Sequence, residues 1–342
     1  MIRLPTFEYR AARSIDEALT WLGEASGAAA ENGEKDPEAR VMLMAGGTDV
    51  LPNMKHRIFT PQVVVGLRGV RALRGITDDS GQGTRIGAGV SLAEIAASPV
   101  IRGRIPALAQ AAESVSTPQL RHMGTLGGNL CLDTRCQYYN QSEDWRRGND
   151  FCMKRSGDVC RVAPKSSRCY AAFSGDVAPA LLALGAEVEL LGPQGLRRLP
   201  LAEFYVDDGM NWLALGADEL LVAVTVPLVA DRASAYEKIR VRGAIDFPLA
   251  GVAVVLRREG DAIAELRVAC TGVSSRPELI AGLDELLGRP LDDAALATME
   301  RHLKRGIQPM ETTLASVPWR RRVTPALAKR LVRRLWDEAK HP

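Results

Sequence analysis

Five of the six cysteines, Cys131, Cys136, Cys152, Cys160 and Cys169, fall within 39 consecutive residues, while Cys270 stands alone in an apolar, strand-like run. In a reducing compartment disulfides are disfavoured, so thiols gathered this tightly point to metal binding or redox chemistry. A cytoplasmic location is expected, because the first thirty residues lack the basic start and apolar stretch of an export signal. No run approaches the roughly 18 uninterrupted apolar residues of a membrane span either. The 342 residues, 46% apolar and 25% charged, exclude disordered, collagenous and coiled-coil chains and leave room for two or three domains.

The net charge of +3 does not by itself suggest nucleic acid, but its distribution is uneven. From Trp319 onward Arg320, Arg321, Arg322, Lys329, Arg330, Arg333, Arg334 and Lys340 face only Asp337 and Glu338. Leu327, Leu331 and Leu335 recur at helical spacing, so this tail reads as a terminal helix with a solvated basic face. The functional reading is a docking surface for an acidic partner subunit.

Ser14 precedes a helix with Asp16 and Glu17 in its first turn, and Ser91 and Glu94 have capping-box spacing. VMLMAGGTD reads as a strand entering a glycine turn, QVVVGL and TRIGAGV as strands, IPALAQAAESV as a helix, and STPQLRHMGTLGGN as a loop. VAPALLALG is a predicted helix, AEVELL and DELLVAVTVP predicted strands. Past a boundary near residues 228–233, YEKIRVR, GVAVVLRR and AIAELRVACTG are strand-like, the last two joined at Glu259-Gly260-Asp261. PELIAGLDELLG, DDAALATMERHLKRG and the tail are predicted helices. The pattern is α+β.

Ala45-Gly46-Gly47-Thr48-Asp49 follows a strand, and its glycines allow successive backbone N–H groups to face one anion such as a pyrophosphate. It matches neither the G-x-G-x-x-G fingerprint nor a P-loop. A second glycine loop offers Thr125, Gly127, Gly128 and Asn129, and Asp176 stands just ahead of an apolar helix. Each has a bland counterpart: a structural strand-to-turn glycine pair, or a plain helix cap. His56, His302 and His341 read as surface residues and His122 as a loop hydrogen-bonder or cofactor contact.

The order of these motifs, AGGTD, then GTLGGN, then SGD before an apolar helix, then ELLVAVTVP and a YEKIR strand, resembles the FAD-binding subunits of the xanthine dehydrogenase and carbon monoxide dehydrogenase family over nearly the whole chain. The resemblance implies a two-subdomain FAD-binding domain of that flavoprotein (PCMH-like) type over 1–230, split near 60, and an α+β C-terminal domain over 231–342. It implies FAD contacts at Ala45, Gly46, Gly47, Thr48, Asp49, Thr125, Gly127, Gly128, Asn129, Asp176, Leu221 and Lys238.

The chain departs from the ordinary family pattern in the 47 positions separating Asn129 from Asp176, where the cysteines lie. This insertion, at about 131–170, resembles that of the 4-hydroxybenzoyl-CoA reductase branch, where it carries a 4Fe-4S cluster. Such a cluster takes four thiolates. The resemblance selects Cys136, Cys152, Cys160 and Cys169 and leaves Cys131 with the flavin loop. Among those four the C-x₂₋₄-C pairs usual for structural zinc are missing. Tyr138, Tyr139, Trp145, Phe151, Tyr170 and Phe173 are expected to wall the cluster from water. Arg135, Arg146, Arg147, Lys154, Arg155, Arg161, Lys165 and Arg168 would offset its charge, lie as a solvated loop surface, or dock an acidic carrier such as ferredoxin.

The implied role is an electron relay without substrate chemistry of its own. Ferredoxin electrons enter the 4Fe-4S cluster, pass to FAD and leave toward a 2Fe-2S small subunit and a molybdopterin-binding large subunit in a doubled heterotrimer. There the phenolic hydroxyl of 4-hydroxybenzoyl-CoA is removed to give benzoyl-CoA. No membrane or nucleic-acid partner is expected. The alternatives are the flavin subunit of another molybdenum hydroxylase, acting on xanthine or an aromatic substrate, and, from a different class, a nucleic-acid-binding protein with a structural metal cluster.

Overall fold

The computed structural model describes residues 3–32, 41–79 and 83–339; Lys340 and His341 of the tail lie outside them. The first sheet is built from β1 (Glu8–Ala11), β2 (Val41–Met44) and β3 (Val63–Gly66), all parallel, in the order β1-β3-β2. Central β3 is the apolar VVV run, with Val64 and Val65 fully buried, as a strand covered on both faces requires. Helix Ile15–Asn32 follows β1 in the chain, and its entry is fixed by the Ser14 hydroxyl, which accepts from the Glu17 N–H at 3.1 Å.

The second sheet comprises β4 (Ile76–Asp79), β5 (Gly83–Gly87), β6 (Glu187–Gly192), β7 (Gly195–Pro200) and β8 (Leu220–Val226), antiparallel in the order β4-β5-β8-β6-β7. The most apolar segment, β8, is thus central. The third sheet contains β9 (Ala233–Ile239), β10 (Ala250–Glu259), β11 (Ala262–Thr271) and β12 (Glu278–Leu279), in the order β12-β11-β10-β9. Gly260, at φ +57°, makes the tight turn between β10 and β11.

Helix Val177–Leu184 is buried at every position and packs on helix Pro106–Ser114 and on β10 and β11. It joins the core around β5, β6 and β8 to the third sheet through Leu181, Phe173, Ala253 and Val255. A separate core under helices Asp293–Gly306 and Val317–Glu338 holds Val254, Cys270, Leu331 and Trp336. Each such leucine contributes about 1.5–3 kcal/mol by leaving water. The architecture is α+β, as expected.

Several local expectations are corrected. STPQLRHMGTLGGN is not one loop: Pro118–Arg121 and Leu126–Leu130 are short helices, capped by the Thr117 and Thr125 hydroxyls. PELIAGLDELLG is not a helix. It forms β12 and a 3₁₀ turn at Leu283–Leu286, because Gly282, at φ +82°, breaks the run. The tail does form the expected terminal helix with an exposed basic face, on which Arg330 and Arg334 pair with Glu237, Arg333 with Asp293 and Lys329 with Glu300. Arg320 is buried, donating to the carbonyls of Leu249, Met310 and Ala315.

Candidate functional site: a cleft between two glycine loops and a four-cysteine cavity

A cleft of about 1310 Å³ runs between the first sheet and the core of the second. Ala45 to Asp49 and Thr125, Gly127, Gly128 and Asn129 line it, with Asp176 and Leu221 also in its wall. The two loops touch. A Cβ on Gly46 would lie 1.8 Å from the Met123 carbonyl oxygen, so only glycine allows this approach. Gly47 adopts φ +71°, and its missing side chain would meet Met44 and Leu51 rather than enter the cleft. The first loop therefore needs glycine at 46 for contact and at 47 for conformation.

The second loop works differently from the sequence reading. Gly127, Gly128 and Asn129 are in a helical turn, and the Thr125 hydroxyl accepts from the Gly128 N–H at 3.1 Å. The Asn129 amide oxygen accepts from the Val177 N–H at 3.1 Å, satisfying the start of helix Val177–Leu184. Asp176, expected as a possible cap, makes no side-chain cap bond. Its carboxylate instead accepts from the Tyr236 hydroxyl at 2.6 Å and from Lys238 Nζ at 3.1 Å. Burial pushes this carboxyl up, opposed by Lys238 and Tyr236, and burial pushes the Lys238 ammonium down. Lys238 stands behind Asp176 and is not in the cleft wall, in contrast to the other expected contacts.

Sequence reasoning missed Ser116 and Ile245 at the cleft wall, both in the left-handed region at φ +45° and +71°. The Ile245 N–H donates to the Ser116 carbonyl at 3.2 Å. A β-branched residue held there stores roughly 1–3 kcal/mol. No sequence signal marks it.

Cys136, Cys152, Cys160 and Cys169 line a second, smaller cavity, each less than a tenth exposed. Cys131 instead lines the cleft, where burial pushes its thiol up to about 12, and Cys270 is in the C-terminal core. Backbone N–H groups already point at sulfur: Tyr139 donates to Cys136 Sγ at 3.3 Å and Ala171 to Cys169 Sγ at 3.4 Å. Cys160 and Cys169 share a hydrogen bond that drives the first thiol down and the second up. Among the described residues no three His, Cys, Asp or Glu side chains converge as a single metal ion requires.

The insert is closed at its base by Arg135 and Ala172, whose backbones exchange bonds of 2.9 and 2.8 Å. Most of its cations turn inward instead of forming a basic patch. Arg146 donates to the Arg57 carbonyl, Arg161 to that of Phe151 and Arg168 to Asp207 and Gln308, while Arg155 lines the cleft. The exposed charges of the insert include Arg147 and Lys165 on one side of the balance and Asp144, Asp150 and Asp158 on the other. The aromatic wall is partial. Tyr138 and Tyr139 reach the cysteines, whereas Trp145 is 39% exposed and Phe173 packs on Tyr205 in the main core. Met153 and Lys154 line both cavities.

A dinucleotide-sized cleft floored by two abutting glycine loops, on this α+β scaffold, defines a protein that holds an extended phosphate-bearing cofactor. The family described as "FAD binding domain in molybdopterin dehydrogenase" matches residues 5–229, and "CO dehydrogenase flavoprotein C-terminal domain" matches 234–337. The chain belongs to this FAD-binding medium-subunit family. It is 28% identical over 337 residues to the carbon monoxide dehydrogenase medium chain of Hydrogenophaga pseudoflava, covering 97% of this chain and 98% of that protein. It is 33% identical to the aldehyde oxidoreductase FAD-binding subunit PaoB of Escherichia coli (strain K12), covering 76% and 83%. The solved carbon monoxide dehydrogenase of Hydrogenophaga pseudoflava superposes with a TM-score of 0.78 at 26% identity, over 98% of this chain and 99% of that one. Among the described residues no helix is long and apolar enough to cross a membrane.

Proposed function

We propose that this chain is the FAD-carrying electron-relay subunit of a molybdenum hydroxylase of the 4-hydroxybenzoyl-CoA reductase type, with a 4Fe-4S cluster on its insert. The observation that carries the reading is the pair of cavities, one wide and glycine-floored, one small and lined by four buried cysteines, sharing Met153 and Lys154 as a wall. When bound, a flavin exchanges one or two electrons, which lets it join one-electron centres to a two-electron reaction. The residues present suit that group. Ala45 to Asp49 and the Thr125–Asn129 turn would hold the diphosphate end, and Asp176, fixed by Tyr236 and Lys238, would present its carboxyl to the ring end, with Leu221 as an apolar part of the same wall.

The residues of the small cavity suit a thiolate-ligated cluster: four sulfurs, N–H donors aimed at two of them, and nearby cations. On this reading the chain takes electrons from ferredoxin and passes them toward the 2Fe-2S and molybdopterin subunits of a doubled heterotrimer. Its FAD-binding domain then ends near 230 and its C-terminal domain begins near 231. The basic ferredoxin-docking patch is not part of the proposal, because most of those cations face inward and the exposed Arg147 and Lys165 are interspersed with Asp144, Asp150 and Asp158.

A second reading, the flavin subunit of a hydroxylase running electrons outward, is favoured by the relatedness to subunits of carbon monoxide dehydrogenase, aldehyde oxidoreductase and xanthine dehydrogenase. Copurification with a molybdenum subunit followed by dithionite- or ferredoxin-driven 4-hydroxybenzoyl-CoA reduction tests the choice. Oxidation of xanthine, an aldehyde or carbon monoxide without that reduction would decide for the second.

A further inference from the structure

We propose that Lys154 is the charge that sets the reduction potential at the cysteine cavity, with Asp133 as its counterweight. The inference rests on the preceding reading of that cavity. Lys154 is the cation that lines both the cysteine cavity and the cleft, and its side chain is only 5% exposed. Its Nζ donates to Asp133 Oδ1 at 2.7 Å, Thr134 Oγ1 at 2.6 Å and the Gly209 carbonyl at 2.6 Å. All three ammonium donors are used, so the charge is fixed in place. It also lies 5.2 Å from the Tyr139 ring centre and 4.6 Å from that of Trp212. Asp133 is itself buried and faces Arg135 at 3.3 Å, which reaches Asp49 of the first glycine loop at 3.7 Å. A line of alternating charge therefore runs from the cleft to the cysteine wall.

A fixed positive charge in a low-dielectric wall stabilises an electron added beside it and so raises the potential; a fixed negative charge lowers it. Burial keeps salt from screening either effect. A residue that only tethered the insert to Gly209 would have no signed effect of this kind.

The test is an EPR-monitored redox titration of anaerobically isolated full-length protein, with iron and flavin quantified in every sample. Lys154→Met is expected to shift the cluster's midpoint to lower potential, Lys154→Arg to leave it near the wild-type value, and Asp133→Asn to shift it upward. Asp133→Asn is decisive if Lys154→Met fails to assemble. An unchanged or lowered potential in Asp133→Asn overturns the proposal, as do shifts of the same sign in Asp133→Asn and Lys154→Met. Iron-free wild-type protein would overturn the underlying reading and this inference with it, whereas iron-replete variants that do not respond would overturn this inference alone.

Discussion

Gly46 shows at residue scale why the glycine pair matters. With the Met123 carbonyl 1.8 Å from where its Cβ would be, Gly46→Ala must force the two loops apart. That variant is expected to purify without flavin absorbance, while Gly103→Ala, whose Cβ meets nothing within 4 Å, retains it. The sequence revealed the pair as a cradle, but not that Gly46 makes room for the Met123 carbonyl of the facing loop while Gly47 supplies a positive φ. Glu278 gives a second residue-scale expectation. Burial, only partly offset by Arg276, pushes its carboxyl up to about 7 from 4.5. The folded state thus holds a proton that the unfolded chain has released. Stability is full below about pH 4.5 and falls by up to about 3 kcal/mol as the pH rises through 7. Glu278→Gln should flatten that slope in thermal melts at pH 5 and 8; parallel pH dependence in variant and wild type would contradict it.

Among the elements, the insert is closed on itself yet tied to the rest of the chain through Arg146, Lys154 and Arg168. Its base is sealed by its own backbone at Arg135 and Ala172, and its four cysteines line a cavity distinct from the cleft. Cys152→Ser or Cys160→Ser should therefore remove the iron–sulfur absorbance and leave FAD bound; loss of both together would make the insert part of the flavin scaffold. The crowding of cysteines along the sequence pointed to this element, and the structure brings four of them to one cavity. What spacing could not show is direction. Arg146, Arg161 and Arg168 could be read as a surround for the cysteines, a solvated surface or a docking patch, and the structure sends each to a backbone carbonyl or carboxylate of the same chain. The short elements were illegible for a similar reason: β12 and the turn at Leu283–Leu286 carry an apolar spacing that suits a helix, and Gly282 overrides it.

At the scale of the whole molecule, helix Val177–Leu184 joins the second and third sheets, the first sheet packs on β8 through a core of its own around Val65, Leu220 and Val222, and the C-terminal helix closes the third sheet. That helix is held by its apolar face, since exposed ion pairs such as Arg333–Asp293 contribute at most about 1 kcal/mol. In urea unfolding Leu331→Ala should cost about 2–5 kcal/mol and Arg333→Ala less than about 1; the reverse order would mean that charge seats the tail. The fold class was legible from the order of motifs along the chain, whereas the cleft became visible only when distant loops were brought together. The central claim, that one chain carries a flavin beside a thiolate-held cluster, is tested most directly by iron, sulfide and flavin analysis of anaerobically purified protein together with its EPR spectrum. The account predicts about four iron, four sulfide and one FAD per chain, with a reduced-cluster signal lost in Cys152→Ser. Flavin-replete protein with zinc or no metal at the cysteines would contradict it.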